Sequence, residues 1–508
     1  MNRILIFLIS IGSTFIVALP IFISGPSSTF YATDPDVHYL SNSLSYIQSK
    51  TITYNVHPGT PAIVLFAALL LPLRIYTRLF THTPFIDWSF LNINFIYHFI
   101  RISQSIFLGI SMCLFLISIY KITRSMTTVC ISLLALFVFT PFFYAGSTIS
   151  AEGTLFFITS LWLLVFTFYL KSCSSFTSFV LIVIAGVALA TKFTSMPLTM
   201  ASIVLFVGTP KTNAQKKLIY LAQAILLIGA VFIFCTWPIR ATYPQMYSWI
   251  SYLATTTETH GGGTKAIFNP SSYYFSIRGL VSRETWAAFV GLLSIFGFVV
   301  VTIHKKYSQN ISTVILTGST IVGLLINAKY PLSYYQIVTY TIVVFIASFS
   351  IRLLPKIAQA ALLIILILPA SANIKNSYIT INQAAKKTAV LEKYIQEHPP
   401  QRAALWVWGR SKDFALLWSR DWASGLFTKQ LAKYRPNLFE LESNFDFINI
   451  DGRSQKPVFS VCWDQLYLQQ ASVSVFISKY PQKSIKYTAL PGTDDMALIE
   501  SNHCLTKP

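Results

Sequence analysis

Long apolar runs recur along this chain and constrain its fold more than any other feature of the sequence. Runs of about 16–20 residues follow one another through the first three quarters of the chain, and each is long enough, or nearly so, to cross a bilayer. Only 11% of the residues are charged, whereas a soluble domain carries about 25%. The sequence therefore predicts a polytopic α-helical membrane protein and excludes the fibrous and disordered classes.

About eleven transmembrane helices are predicted from these runs. They lie near residues 4–23, 101–120, 126–145, 153–170, 176–191, 193–209, 218–237, 286–303, 311–327, 336–351 and 357–372. The first run follows Arg3 and resembles a signal peptide, but it is longer than a typical apolar core and no small-x-small cleavage site follows it. We therefore predict that it remains as the first span.

The orientation depends on the segment Thr60–Phe80, which is apolar but contains one proline and two arginines. It either crosses the membrane or lies along its surface as an amphipathic helix. Membrane insertion favours basic residues in the loops on the inner side. If Thr60–Phe80 lies along the surface, the short outer loops contain only two basic residues, Lys192 and Lys329. We predict an interfacial helix, an inner N-terminus and an outer C-terminus. The net charge of +20 is then largely an orientation signal, so nucleic-acid binding is not predicted.

Acidic residues are rare in residues 1–372, and this topology places all of them on the outer side. They are Asp34, Asp36, Asp87, Glu152, Glu258 and Glu284. Acidic residues contribute little to orientation, so their distribution is independent of the topology argument. We expect polar chemistry to be concentrated on the outer face.

Two domains are predicted. Residues 1–372 form a transmembrane domain with outer loops at 25–100 and 239–285, and residues 373–508 form an outer-face α/β domain. The elements predicted in this tail are strands at Ala403–Trp408, Phe445–Ile450 and Met496–Glu500 and helices at Gln383–Glu397 and Asp464–Lys479.

The predicted outer tail contains two of the six cysteines, Cys462 and Cys504. An oxidising compartment favours a disulfide between such a pair, and the alternative is two free thiols. A bridge requires the two Cα atoms to lie within about 7 Å of each other. We predict that the pair satisfies this condition.

The first outer loop contains two carboxylates one residue apart, in Asp34-Pro35-Asp36. Asp34 suits the N-cap of a helix whose first residue is Pro35. Asp36 is not needed for capping, and a carboxylate beside a membrane is a candidate general base or metal ligand. The motif is short, so either aspartate remains a candidate for the base.

A series of further motifs follows in order along residues 1–352. They are His57-Pro58-Gly59 before the interfacial helix, Arg101 at the next span, Glu152 after Ser147–Ala151, Gly186–Lys192 and the segment Ala328–Tyr335. Together with the acidic loop, this series resembles the GT-C glycosyltransferases, in particular the branch of protein O-mannosyltransferases and aminoarabinose transferases. Three departures are visible: the branch has Asp-Glu in place of Asp34-Pro35-Asp36, Lys-Pro-Pro in place of His57-Pro58-Gly59, and a proline after its Tyr-Tyr pair.

The resemblance implies roles for individual residues. Asp36, Asp34 and Glu152 are the expected catalytic acids, with Asp36 favoured as the base. Lys329, Lys192 and Arg101 are expected to bind the donor phosphate, and His57, Tyr39, Tyr334, Tyr335 and His260 are expected to contact substrate. Lysine binds phosphate as a compact point charge, although lysines at the membrane surface also extend to lipid headgroups without any such role.

The second outer loop carries Glu258 and His260 followed by three glycines. Such a segment is either a lid over the site or a plain flexible loop. Glu258 and His260 are a possible metal pair, so a divalent metal stays open and no other cofactor is predicted. The absence of a recognisable nucleotide motif fits a donor carried on a lipid.

The resemblance, together with the predicted topology, implies an inverting transferase of the inner (plasma) membrane. It moves a sugar from a polyprenyl-phosphate donor to an outer-face acceptor, which is a glycan, a lipid or a protein. Two rivals belong to other classes. A transporter or flippase of lipid-linked saccharides predicts ionisable residues at mid-membrane depth, and a non-catalytic envelope-assembly protein predicts tolerance of substitutions at the loop aspartates.

Overall fold

The computed structural model describes most of the first 398 residues and the strands that follow. The described residues are 2–24, 33–49, 52, 59–208, 213–256, 269–303, 307–328, 332–398, 404–407, 438–441, 447–448, 460–462, 465–469, 473–474, 478, 486–489, 496–500 and 504–506. The first helices are α1 (Asn2–Ser24), α2 (Thr33–Ser49), α3 (Thr60–Tyr76), α4 (Phe85–Leu91), α5 (Ile93–Thr123), α6 (Met126–Phe137), α7 (Thr140–Ser147), α8 (Ala151–Ser172) and α9 (Ser175–Thr191). They are followed by α10 (Met196–Gly208), α11 (Ala214–Thr236), α12 (Tyr243–Thr255), α13 (Pro270–Arg283), α14 (Thr285–Ile303), α15 (Tyr307–Ala328), α16 (Ile337–Leu353) and α17 (Lys356–Glu397).

Seven helical segments of the described residues are long and apolar enough to cross a membrane, and the bent pair α6–α7 would make eight. The prediction of a polytopic helical membrane protein is confirmed at this level. Four predicted spans form shorter apolar helices, at Ser175–Thr191, Phe193–Gly208, Thr285–Phe296 and Thr313–Ala328. The count of eleven full spans therefore stays a prediction, because length and composition alone support seven or eight.

The predicted span at 126–145 is not one straight helix. The axes of α6 and α7 differ by 79°, and Pro141 occupies the first turn of α7. Proline lacks an N–H and fits the start of a helix far better than its interior, so the chain stops one helix and begins another here.

The segment Thr60–Thr81 is helical, as α3 followed by a π-helical turn at Thr77–Thr81. It satisfies the same length and composition criterion as the other six long segments. Its Arg74 donates from Nη1 to the Ile47 carbonyl at 3.0 Å, which joins the end of α3 to α2. The interfacial placement of this helix stays a prediction.

The chain divides into two compact units. The first comprises residues 1–19, 55–65 and 101–378, and the second comprises 20–54, 66–100 and 379–508. In the first unit, α16 is buried at every residue from Ile337 to Ile351, and the Phe166 ring of α8 packs 6.1 Å from the Phe345 ring of α16. Burial of large aromatic side chains contributes a large share of the stability of such a core.

In the second unit, strands after residue 403 form two sheets. The strands are β1 (Ala404–Val407), β2 (Leu438–Leu441), β3 (Phe447–Ile448), β4 (Ser460–Cys462), β5 (Gln465–Gln469), β6 (Lys486–Ala489), β7 (Met496–Glu500) and β8 (Cys504–Thr506). Six of them form a mixed sheet in the order β3-β2-β1-β5-β7-β6, and β4 pairs with β8. β1 is parallel to both β2 and β5, and the other pairs are antiparallel.

The structure agrees with most of the elements predicted for the tail and corrects one. Strands lie at the three predicted positions, and the helix predicted at Gln383–Glu397 is the end of α17, which continues through the predicted domain boundary at residue 373. The helix predicted at Asp464–Lys479 is wrong over Gln465–Gln469, because this segment is β5. β5 lies between β1 and β7 and pairs with both, so sheet contacts override the local helical pattern.

The antiparallel pairing of β4 with β8 places Cys462 directly opposite Cys504. Opposite residues in such a ladder have Cα atoms about 4.5–5.5 Å apart, which lies within the range that a disulfide bridges. The other four cysteines are free thiols. We expect thiol titration of the denatured, unreduced protein to find four thiols, and titration after reduction to find all six. The double variant Cys462→Ser, Cys504→Ser should give four thiols in both states, and six thiols without reduction would contradict the bridge.

Candidate active site

Glu152 lies in the first turn of α8, where a carboxylate interacts favourably with the helix dipole. The helix begins at Ala151 because the preceding Ser150 is extended, with φ −143° and ψ 164°. Only 3% of the Glu152 side chain is exposed. A carboxylate that is this buried requires a partner of opposite charge.

That partner is Lys192, at the carboxyl end of α9. Its backbone is extended, with φ −166° and ψ 141°, which ends the helix, and its N–H donates to the Ala188 carbonyl. The Lys192 Nζ lies 2.5 Å from Oε1 of Glu152, with 16% of the lysine side chain exposed. The start of α8 and the end of α9 therefore meet through a largely buried ion pair.

Two tyrosines surround the ammonium group. The Lys192 Nζ lies 4.1 Å from the ring centroid of Tyr335 and 5.7 Å from that of Tyr334, within the range of cation–π attraction. The Tyr334 ring is also stacked on Tyr144 of α7, with centroids 5.1 Å apart and an interplanar angle of 20°. We call Glu152, Lys192, Tyr144, Tyr334 and Tyr335 the Lys192 cluster.

The tyrosine pair lies on a 3₁₀ turn, Ser333–Gln336, that leads into α16. Asn327, from the end of α15, donates from Nδ2 to the Tyr335 carbonyl at 3.0 Å and to Oε1 of Gln336 at 3.2 Å. The side chain of Ser333 hydrogen-bonds to the Glu284 carboxylate. Both ends of the turn are thus held by neighbouring helices.

Glu284 is a second carboxylate near this turn. Its Oε2 accepts from the Thr140 N–H at 3.3 Å. Burial raises its pKa, although hydrogen bonds from Thr140 and Ser333 and the charge of Arg283 oppose the increase. Glu284 is half-buried, between the start of α7 and the turn that carries the tyrosines.

The end of α7 and the amino end of α8 are packed tightly against α5. The Gln104 Nε2 donates to the Ala145 carbonyl at 3.1 Å, and the Ser105 hydroxyl donates to the Gly146 carbonyl at 2.7 Å. A Cβ atom on Gly153 would lie 2.7 Å from the Ala145 carbonyl oxygen, so a larger residue would displace its neighbours. Arg101, one turn before Gln104, is 5% exposed.

The acidic loop belongs to the second unit. α2 begins at Thr33, so Asp34 and Asp36 both lie in its first turn. Asp36 is 1% exposed. Tyr39 is also buried, with its ring 6.3 Å from that of Phe66. This face of α2 is interior, which is an uncommon environment for an aspartate.

The predicted site residues other than Arg101 fall into three groups. Glu152, Lys192, Tyr334 and Tyr335 come together, whereas Asp36 and Tyr39 are buried in the other unit. His57, His260 and Lys329 and the side chain of Asp34 lie outside the described residues, so the predicted convergence of all these groups stays a prediction. So does the metal pair Glu258 and His260, although in the described part of the chain no three His, Cys, Asp or Glu side chains form a metal-binding group.

Sequence reasoning missed three contributors to the site: Tyr144, Asn327 and Glu284. Glu284 carried a signal, because it is one of the few acidic residues before residue 373. Tyr144 and Asn327 carried none, because an aromatic or amide side chain near the end of an apolar run has many structural uses. Tyr144 matters because it contacts the Ser333–Gln336 turn, which is about 190 residues away in sequence. Asn327 matters because it binds the same turn, which is only a few residues away.

The cluster has the chemistry of an anion site. An ammonium group has three donors, and the pairing with Glu152 leaves others available to a ligand. Aromatic faces and burial exclude water, which strengthens the attraction between the lysine and an anionic oxygen. A phosphate group matches this arrangement, since lysine binds phosphate as a point charge.

The helical architecture, with a polar cluster at one end of the bundle, defines a polytopic membrane protein of a known fold. The structure is similar to that of ArnT from Cupriavidus metallidurans in the apo state, with a TM-score of 0.56 and 10% identity over 97% of both chains. It is similar also to ArnT from the same organism bound to undecaprenyl phosphate, with a TM-score of 0.54 and 11% identity over 97% of both chains. Neither a protein-family model nor a curated protein matches the sequence. The predicted resemblance to the aminoarabinose transferases is thus confirmed at the level of the fold.

Proposed function

We propose that this protein is a GT-C glycosyltransferase that moves a sugar from a polyprenyl-phosphate donor to an acceptor on the outer face of the membrane. The Lys192 cluster is the observation that carries the proposal, because it places a largely buried ammonium group, paired with Glu152 and walled by two tyrosine rings, at one end of a membrane-spanning bundle. The shared fold with ArnT, one structure of which holds undecaprenyl phosphate, supports the choice of a lipid phosphate as its ligand.

In this mechanism Lys192 binds the donor phosphate and stabilises the negative charge that grows on it as the glycosidic bond breaks. Tyr335 and Tyr334 wall the site and exclude water. Glu152 orients Lys192 and the acceptor. Lys329 and Arg101 supply further positive charge toward the phosphate.

Asp36 removes the proton of the acceptor hydroxyl, and the oxygen then attacks the anomeric carbon with inversion. Asp34 is the alternative base. His57, Tyr39 and His260 contact the substrates, and the involvement of a divalent metal stays open. In this proposal the chemistry takes place on the outer face of the inner membrane, with the N-terminus inside and the strands after residue 403 outside, as the distribution of basic residues predicts.

The broken span bears on the rival proposal of a transporter. Discontinuous helices in transporters direct free backbone groups at a substrate or ion. Here three side chains occupy backbone groups of the α6–α7 break: Tyr340 and Asn373 donate to carbonyls of Ala135, Phe137 and Val138, and Glu284 accepts from Thr140. The break is therefore filled by the protein itself, which favours an enzyme over a transporter.

Deletion of the gene in the native host should remove one sugar residue from an envelope glycan, lipid or protein, as measured by mass spectrometry. The purified wild-type chain in detergent micelles should restore that residue when mixed with lipid extract and acceptor from the deletion strain. A micelle does not separate two compartments, so a flippase has no transport to perform and would give no product in this assay. A glycan and lipid profile unchanged by deletion would contradict the proposal.

A further inference from the structure

A break in a helix inside a membrane bundle exposes backbone groups that water cannot reach. The last carbonyls of the first helix and the first N–H groups of the second lose their partners in the helix. In a membrane protein each of these groups must find a partner within the protein. The break between α6 and α7 lies at Val138 and Phe139, which are buried, and Thr140 at the start of α7 is exposed.

The carbonyl side of the break is satisfied by two helices. The Asn373 Nδ2 of α17 donates to the Val138 carbonyl at 2.7 Å and to the Phe137 carbonyl at 3.3 Å. The Tyr340 hydroxyl of α16 donates to the Ala135 carbonyl at 2.7 Å. These three bonds hold the end of α6 and do not reach α7.

The N–H side of the break depends on Glu284. Its carboxylate accepts from the Thr140 N–H, at the first residue of α7. A carboxylate is the side chain best suited to this end of a helix. The same carboxylate is hydrogen-bonded by Ser333, the first residue of the tyrosine turn. One side chain therefore joins two elements that are almost 200 residues apart in sequence.

These two elements carry the two members of a ring pair. α7 carries Tyr144, and the turn carries Tyr334, whose rings stack 5.1 Å apart. Tyr334 also lies against Tyr335, with centroids 4.6 Å apart, and both face Lys192. A displacement of α7 relative to the turn would separate the rings and open the wall of the lysine site.

We propose that Glu284 is a positioning residue that joins α7 to the Ser333–Gln336 turn and so holds the Tyr144–Tyr334 wall of the Lys192 phosphate site. This inference rests on the proposed function, because the wall affects donor binding only if the Lys192 cluster binds the donor phosphate. Glu284 does not contact the ammonium group in this arrangement. Its effect passes through the two backbone elements that it joins.

The variants Glu284→Ala and Glu284→Gln test the inference together with Ser350→Ala as a matched control. Glutamine retains an oxygen that accepts from Thr140 and Ser333, whereas alanine removes both bonds. Ser350 donates to the Leu293 carbonyl at 2.8 Å, so its loss removes one bond between α16 and α14. Two readouts are measured on the full-length protein: hydrogen exchange of the peptide covering α7, and binding of undecaprenyl phosphate in nanodiscs.

We expect Glu284→Ala to speed exchange in α7 and to weaken undecaprenyl phosphate binding by about tenfold or more, since it removes a hydrogen bond to a charged group. Glu284→Gln should remain within about threefold of wild type, and Ser350→Ala should leave both readouts unchanged. Exchange in α7 that is equal in Glu284→Ala and wild type would overturn the inference, and so would unchanged binding despite faster exchange. Failure of the wild-type protein to bind undecaprenyl phosphate would instead contradict the proposed function, while the exchange data would still decide whether Glu284 holds α7.

Discussion

The variant Asp36→Asn is expected to lower sugar transfer by about 10²–10⁴-fold, the usual cost of losing a general base. Asparagine has nearly the same shape as aspartate but cannot take a proton from the acceptor hydroxyl. Asp36 is 1% exposed in the first turn of α2, so a carboxylate there is costly to maintain. We expect expression and undecaprenyl phosphate binding to remain close to wild type, because the proposed base does not hold the donor phosphate.

Two further variants make this result specific. Asp87→Asn, in α4 of the same unit, is the control for loss of a negative charge, and transfer should be retained. Asp34→Asn decides between the two candidate bases. If Asp34→Asn abolishes transfer and Asp36→Asn does not, Asp34 is the base. Full transfer by both variants would remove the proposed chemical centre and would favour a non-catalytic protein.

The variant Lys192→Met is expected to abolish undecaprenyl phosphate binding and transfer together. It also leaves the Glu152 carboxylate buried without its partner, and breaking a buried ion pair in this way costs about 3–5 kcal/mol. Thermal unfolding in detergent should therefore show a large loss of stability. A loss of binding could then result from unfolding alone, so the effect on stability must be separated from the effect on binding.

The double variant Glu152→Gln, Lys192→Met provides that separation. It removes both charges, so much of the lost stability should return, whereas undecaprenyl phosphate binding should stay absent. Lys121→Met is the matched control, because Lys121 also lies over an aromatic ring, with its Nζ 3.5 Å from the Phe168 centroid. Binding should survive in that control. Recovery of lipid binding in the double variant would show that Lys192 serves only to neutralise Glu152.

The positions of most membrane helices follow from the local sequence. A run of apolar residues that is long enough to span a bilayer favours a helix, because its backbone must satisfy its own hydrogen bonds, although the run at 126–145 is broken between α6 and α7. Helices are accordingly found at Ala151–Ser172 and Ser175–Thr191, close to the predicted 153–170 and 176–191. The sequence also identified Glu152 and Lys192 as candidate site residues, because charged residues are rare in such a chain.

The contacts that these residues make depend on how distant segments pack together. The ion pair joins residues 40 positions apart, and no local pattern specifies that contact. The same is true of β5, where a segment predicted as a helix is a strand because it lies between β1 and β7. The roles of Tyr144 and Glu284 arise from the break between α6 and α7, whose backbone groups must be satisfied by other helices. Helix positions follow from the local cost of burying backbone groups without hydrogen bonds. The site instead depends on packing between distant segments, and no local pattern in the sequence specifies that packing.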